Sequence, residues 1–449
     1  MSVPEDRLST VLLRPLGRAG ALWYLIVAFL GTIVASGLFA WFYQMWQGFG
    51  LTGIRWPVYW GFLITDFVFW IGISHAGTLI SAILRLVDAG WRRPVTRCAE
   101  VITAFALIIG GLFPIIHLGK PWLFFWLVPY PSRRLIWPNF RSPLVWDFFA
   151  ISTYLTGSLL FLFLPMIPDF ALVRDRSTGM RKRIYGVLAL GWRGTTTQWH
   201  RLETAMQIMA VAIIPVAVSV HTIVSFDFSM APVPMWHSSI FGPYFVAGAI
   251  FSGIAGLIIA MAALRSILKL HDYLEPIHFD NLGKLLLTMS LLWGYFTFNE
   301  RLTAWYGNNT AEMNTFQATQ TGTYSPLFWT MVIVNFVLPV IILGVRRFRT
   351  ITGCVTASIG IVIGMWLERY LIVVPSLAHK FLPYSWGTYG PRPSEILITV
   401  ATFAAMALLY TLFAKFVPII SIWEMRAGEH LPQPSSVAHS EPRVGESHA

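Results

Sequence analysis

Ten apolar runs, each about twenty residues or longer, follow one another so closely that little chain remains for a water-soluble core. They fall at about 21 to 46, 57 to 85, 98 to 118, 142 to 166, 202 to 225, 240 to 269, 282 to 306, 325 to 345, 350 to 375 and 394 to 418. At 1.5 Å per residue, each can carry a helix across a hydrocarbon layer about 30 Å thick. Composition agrees: 56% of the 449 residues are hydrophobic and 12% are charged, against roughly 25% charged in a soluble domain. The chain therefore reads as an all-α integral membrane protein with about ten transmembrane helices.

Lys and Arg set the orientation. They concentrate in the N-terminus, in the C-terminal end and in the loops after the second, fourth, sixth and eighth spans, which places both termini in the cytoplasm. The net charge of +11 is thereby a topology signal with anionic lipid as partner, and nucleic acid is not implied. Residues 1–20 form a cytoplasmic segment, 21–425 the membrane domain, and 426–449 a polar tail expected to be disordered. The first run is too long for a signal h-region and reads as an uncleaved helix. The loop "WLFFWLVPYPSRRLIWPNFRSP", rich in aromatics and prolines, is expected to run along the outer interface as a docking platform. The two cysteines, Cys98 and Cys354, stand far apart outside any CxxC context, so neither an iron-sulfur cluster nor a c-type haem is expected in this chain.

An ionisable group at bilayer depth needs a partner or a function. With the orientation above, all of these except His75 fall in the outer half. His117 closes the third span, with Lys120 just beyond. Arg141 stands at the mouth of the fourth and Asp147 about one and a half turns deeper. His221 and Asp227 lie near the end of the fifth, Glu300 and Arg301 near that of the seventh, and Glu368 and Arg369 near that of the ninth; Asp66 is about nine residues into the second. Six of them, His117, Asp147, His221, Asp227, Arg301 and Arg369, can share a layer roughly 10 Å thick. Simpler readings stand beside the functional one. Glu300 with Arg301 and Glu368 with Arg369 could be neutralised pairs, Lys120 and Arg141 interfacial cations, Asp66 a packing contact and His75 a packed or relay histidine. His117 and Asp147, on adjacent helices at one depth, favour function. The cytoplasmic half offers mainly His200 and Glu203 among buried groups.

This chemistry suits a quinol, whose two hydroxyl protons must leave as its electrons leave. A neutral histidine takes one near neutral pH, a carboxylate takes the other or orients the histidine, and a cation such as Arg369 stabilises developing negative charge. A b-type haem would need two facing histidines, for which only His117 and His221 match in depth. The economical reading sends the electrons to a docked iron-sulfur or haem subunit. A proton or solute transporter is the reading from another class, but its substrate site belongs near the midplane.

Three stretches carry a resemblance: "FPIIHLGKPW" closing the third span, "PNFRSPLVWDF" opening the fourth, and "VSVHTIVSFDF" closing the fifth. They resemble the NrfD/polysulfide-reductase family of membrane subunits, most nearly the C subunit of bacterial alternative complex III, over about residues 20 to 425. The resemblance implies two four-helix bundles, spans 2 to 5 and 6 to 9, flanked by spans 1 and 10. It also implies a subunit of the bacterial cytoplasmic membrane without haem of its own. That subunit oxidises quinol, menaquinol being the first candidate, and releases protons outside. It passes electrons to an extracytoplasmic iron-sulfur subunit and on to c-type cytochrome subunits, beside a second NrfD-like membrane subunit. Carried onto this chain, the quinol pocket uses His117, Asp147, Asp227 and Arg369, with His221, Arg301, Lys120 and Arg141 at its margin. Proton translocation would begin from Asp66, His75 and Glu300. The runner-up is the same fold as quinone-linked anchor of a molybdenum-dependent reductase.

Overall fold

The computed structural model describes residues 7–128 and 140–429. Half of the expected outer docking loop, residues 129–139, and the polar tail from residue 430 lie outside these residues. Within them the chain is helical. A short α1 (Arg7–Leu13) precedes α2 (Ala21–Gln47), α3 (Phe62–Leu86), α4 (Arg93–His117) and α5 (Pro143–Phe163). Next come α6 (Ile167–Asp175), α7 (Gly179–Leu188), α8 (Thr196–Ser229), α9 (Phe241–Ile267), α10 (Pro276–Gly307) and α11 (Thr310–Gln320). The eighth span is made of α12 (Ser325–Val332), a π-helical turn (Ile333–Val337) and α13 (Leu338–Gly344); α14 (Ile351–Ala378), α15 (Pro393–Phe416) and α16 (Ile422–Glu429) complete the chain.

Among the described residues, nine helices are long and apolar enough to cross a membrane, so the protein is a multi-pass integral membrane protein. The expected seventh span is the exception. Its helix, α10, has 32 residues but carries Lys284, Asn299, Glu300 and Arg301, which lower its hydropathy. The boundaries differ where side chains cap the ends. The second span begins at Phe62 instead of 57, where the Phe62 N–H donates to the Tyr389 hydroxyl (3.0 Å). The long basic loop after the fourth span is itself folded into α6 and α7.

Helices α3, α4, α5 and α8 pack as one bundle, and α9, α10, α12 with α13, and α14 as a second; α3 lies against α9 and α14 at the seam. Outside them α2 packs on α15, with Gly37 seated on Ala401. Small residues permit such approaches where hydrophobicity gives no preference for helix over lipid. The tightest is α3 on α4, where a Cβ on Gly77 would run into the Ala99 carbonyl and Thr103 Oγ1.

The end of the bundle at which α3, α15 and α9 finish holds a buried ionic network. Arg97 donates to Asp169 (2.6 Å), with side chains 1% and 2% exposed, and also to the Pro165 and Pro418 carbonyls. Glu424 accepts from Arg85 (2.6 Å), Arg92 (3.3 Å) and Thr96, and Glu100 accepts from Ser81 (2.5 Å). This corrects the expectation that His200 and Glu203 are the main buried groups of that half. His200 and Glu203, the residues expected there, are exposed, because they lie on the outward face of α8. The network joins residues tens to hundreds of positions apart, which no local pattern announces.

Candidate functional site

The opposite end, where α4 and α8 finish and α5 begins, gathers most of the expected site residues. His117 is the last residue of α4. The chain turns at Gly119, whose φ of +69° and contact with the Phe49 ring both exclude a side chain. The His117 ring lies 6.1 Å from that of Phe49, and its Nδ1 is buried without a hydrogen bond. Lys120 and Arg141 are exposed at the surface of the same end.

Asp147 enters one turn into α5, and Asp227 sits near the end of α8. Their carboxyl groups lie side by side within hydrogen-bonding reach of each other, while Oδ1 of each is buried without a partner. A hydrogen bond between two carboxyl groups needs a proton between them. The preceding residues, Trp146 and Phe226, meet edge to face at 6.4 Å and brace the two helices. The sequence pattern predicts a His117–Asp147 unit. Among the described residues no hydrogen bond joins these two, and Asp147 instead partners Asp227, although α4 and α5 are packed neighbours.

A second group lies deeper. His221 faces His75, with ring centroids 4.5 Å apart, and so lies level with the mid-membrane histidine instead of in the outer layer expected for it. His75 has the Ile71 and Ala217 carbonyl oxygens each 2.7 Å from a ring nitrogen and stacks near Tyr154; neither nitrogen of His221 has a hydrogen bond. His221 also borders Phe245, over which the Arg369 guanidinium sits at 4.4 Å.

Arg369 and Glu368 form an ion pair (3.1 Å), both 2% exposed, and Trp293 Nε1 donates to Glu368 (2.6 Å). Arg301 pairs with Glu300 (3.0 Å), donates to Thr319 and covers Phe328. Both neutralised-pair readings are thus seen. Between the two pairs lies a small cavity lined by Tyr244 and Thr297, whose hydroxyls bond at 3.1 Å.

Asp66 stands apart as an anchor: Trp366 Nε1 donates to one oxygen (2.8 Å) and Thr399 to the other (2.6 Å), tying α3 to α14 and α15. Sequence reasoning misses Glu395, which accepts from Tyr389 and from the Gly53 and Arg392 N–H groups. The signal is legible, since "PRPSE" places a glutamate three residues after Arg392, the cap of α15. Among the described residues no cluster of His, Cys, Asp and Glu is arranged to hold a metal ion.

Comparison with known proteins bears on this arrangement. The family described as polysulphide reductase, NrfD matches residues 50–379. A protein of Halobacterium salinarum named as a membrane subunit of dimethyl sulfoxide reductase is 26% identical, over 90% of this chain and 92% of its own length. A protein of Mesobacillus selenatarsenatis named as a selenate reductase subunit is 24% identical over 89% and 94%. The Hdr-like menaquinol oxidoreductase integral membrane subunit of Archaeoglobus fulgidus is 22% identical over 89% and 94%.

Proposed function

Because the chain belongs to the polysulphide reductase NrfD family, we propose that it is the membrane subunit through which a multisubunit oxidoreductase draws electrons from the quinol pool. The observation that carries this reading is the buried Asp147–Asp227 carboxyl pair beside the end of α4 that holds His117. No donor of another residue reaches the buried Oδ1 of either aspartate, which have only each other, and Nδ1 of His117 has no hydrogen bond. Leaving such groups unpaired is costly in a stable interior, whereas a ligand with two hydroxyls satisfies them.

Oxidation of a quinol to a quinone releases two protons and two electrons. In this reading His117 accepts one proton at Nδ1 and the aspartate pair the other, which confines proton release to one end of the bundle. Arg369 lies deeper, neutralised by Glu368 and seated over Phe245, so its charge reaches His221 and is not assigned to the aspartate pair. The electrons leave for another protein of the complex, since the chain's two cysteines are far apart and buried.

The relatives named as dimethyl sulfoxide and selenate reductase subunits favour the anchor of a terminal reductase, with partners that carry an iron-sulfur relay and a catalytic centre such as a molybdenum site. The second reading, alternative complex III with c-type cytochromes and a second NrfD-like protein, rests on the motifs around His117 and Asp147. The metal and haem content of the complex purified through this chain separates the two.

The test of the site is quinol oxidation by that complex carrying His117→Ala or Asp147→Asn. Each is expected to lower turnover by about 10²-fold, the scale of losing a general base, with unchanged complex assembly. Normal turnover and normal inhibitor binding in both would overturn the site.

A further inference from the structure

A large apolar cavity lies remote from His117. It is an open apolar crevice of about 590 Å³, within the ~300–1,000 Å³ range of small-ligand sites. Its floor is α3, with Phe69, Trp70 and Ile73; one wall is α9 and the other α15 with the start of α2. Along α9 the wall is opened by Gly256, Ala260 and Ala263, and along α15 it runs from Phe403 to Lys415. Both walls thus extend over thirteen residues, a rise of about 18 Å at 1.5 Å per residue. That is close to half of a ~30 Å hydrocarbon core, one leaflet and no more.

The crevice ends at a cationic rim. Lys415 Nζ donates to the Pro15 carbonyl (2.8 Å) and lies 5.7 Å from the Trp23 ring, at the level where an interfacial cation belongs. Helix α7 crosses this mouth: Tyr185 donates its hydroxyl to the Phe416 carbonyl (2.7 Å), and the Arg181 guanidinium rests over the Tyr185 ring at 5.6 Å. Arg181 acts electrostatically on Lys415, and among the described residues no carboxylate pairs with either. The helix is also interfacial in type. Arg181, Lys182 and Arg183 are flanked by Met180, Ile184 and Val187, which are more than half exposed.

We propose that this crevice is a binding site for one anionic phospholipid of the adjoining leaflet, with an acyl chain between α9 and α15 and its phosphate between Lys415 and Arg181. Length selects an acyl chain confined to one leaflet, and the paired cations select an anionic headgroup over a zwitterionic one. The site seals the seam between α2 with α15 and the second bundle, which protein side chains leave open.

The test uses the complex as purified, loaded with phosphatidylglycerol that carries a photoactivatable diazirine on its acyl chain. Cross-links are expected on residues 256–268 and 403–415, displaced by unlabelled phosphatidylglycerol about ten-fold more effectively than by phosphatidylcholine. Arg181→Gln with Lys415→Gln is expected to make the two competitors equal. Ala260→Trp, which fills the crevice, is expected to remove the cross-links while α5 and α12, which do not line it, label as before. Labelling spread evenly over all lipid-facing helices of the native complex would overturn the proposal. So would equal competition by phosphatidylcholine there, or displacement by an isoprenoid quinone as effective as by phosphatidylglycerol.

Discussion

The imidazoles of His75 and His221 face each other across α3 and α8 with ring centroids 4.5 Å apart, and they are unequal. His75 meets a carbonyl oxygen at each nitrogen, the Ala217 carbonyl across the helix pair among them, whereas His221 makes no close hydrogen bond and has only the Phe245 backbone within reach. Replacing His75 by leucine removes the bond that ties α3 to α8 and should cost about 1–3 kcal/mol. His221→Leu removes a ring that has no close hydrogen bond and only the Phe245 backbone within reach, and should cost less than His75→Leu. Thermal unfolding of the two variants in one detergent checks this; equal losses would mean that His221 has a partner of its own.

Arg97 and Asp169 provide a second test. Removing one member of a buried pair strands the other charge, so Arg97→Met should destabilise by about 3–5 kcal/mol. In Arg97→Met with Asp169→Leu most of that loss should return, because two apolar side chains of similar volume replace the pair. A double variant as unstable as the single one would show that the bonds from Arg97 to the Pro165 and Pro418 carbonyls dominate instead.

Glu424 lies beyond the last span, in α16. Burial alone would raise its carboxyl, but Arg85 and Arg92 outweigh this and hold it below the ordinary glutamate value. The unfolded chain therefore takes up this proton more readily than the folded one. The stabilisation is complete above the unfolded value of about 4.3 and is lost as pH falls from there through the lower folded value. Native protein should lose melting temperature steeply over that acid window, and Glu424→Gln should be less stable at neutral pH with a flatter acid profile. Parallel profiles would remove Glu424 from the account.

The eighth span offers a fourth. Pro339 has no N–H for the Asn335 carbonyl one turn earlier, and Ser290 of α10 donates to it instead (2.7 Å). Ser290→Ala should cost about 1–3 kcal/mol by leaving that carbonyl unpaired in the interior. Adding Pro339→Ala, which restores an N–H, should recover part of it; additive losses in an unfolding assay would contradict this.

The sequence is most legible where a pattern is local. Apolar runs locate nine of the helices directly, and the Lys and Arg distribution marks the segments between them. The end-of-helix histidine and aspartates are also readable, because a charge inside an apolar run is conspicuous. Partners are not. Asp147 lies eighty residues from Asp227, and Asp66 more than three hundred from Thr399, so the pairing of each depends on which helices the bundle sets side by side. Helix α7 hides within a basic loop because charged and apolar residues alternate too closely in its ten residues to make a run.

Near its two ends the chain touches itself. Leu8 and Leu12 of α1 are buried, and Ser9 accepts hydrogen bonds from Arg176 (3.4 Å) and from Arg426 of α16 (2.9 Å). This contact counts crossings by parity. Segments flanking the first and last membrane helices can meet only on one side of a bilayer, and a chain that starts and finishes on the same side has crossed an even number of times. The nine helices recognised by hydropathy among the described residues make an odd number. Among the described residues α10, at 32 residues, is long enough for a further passage, and it exchanges apolar surface for the ion pair and hydroxyls it carries inside the bundle.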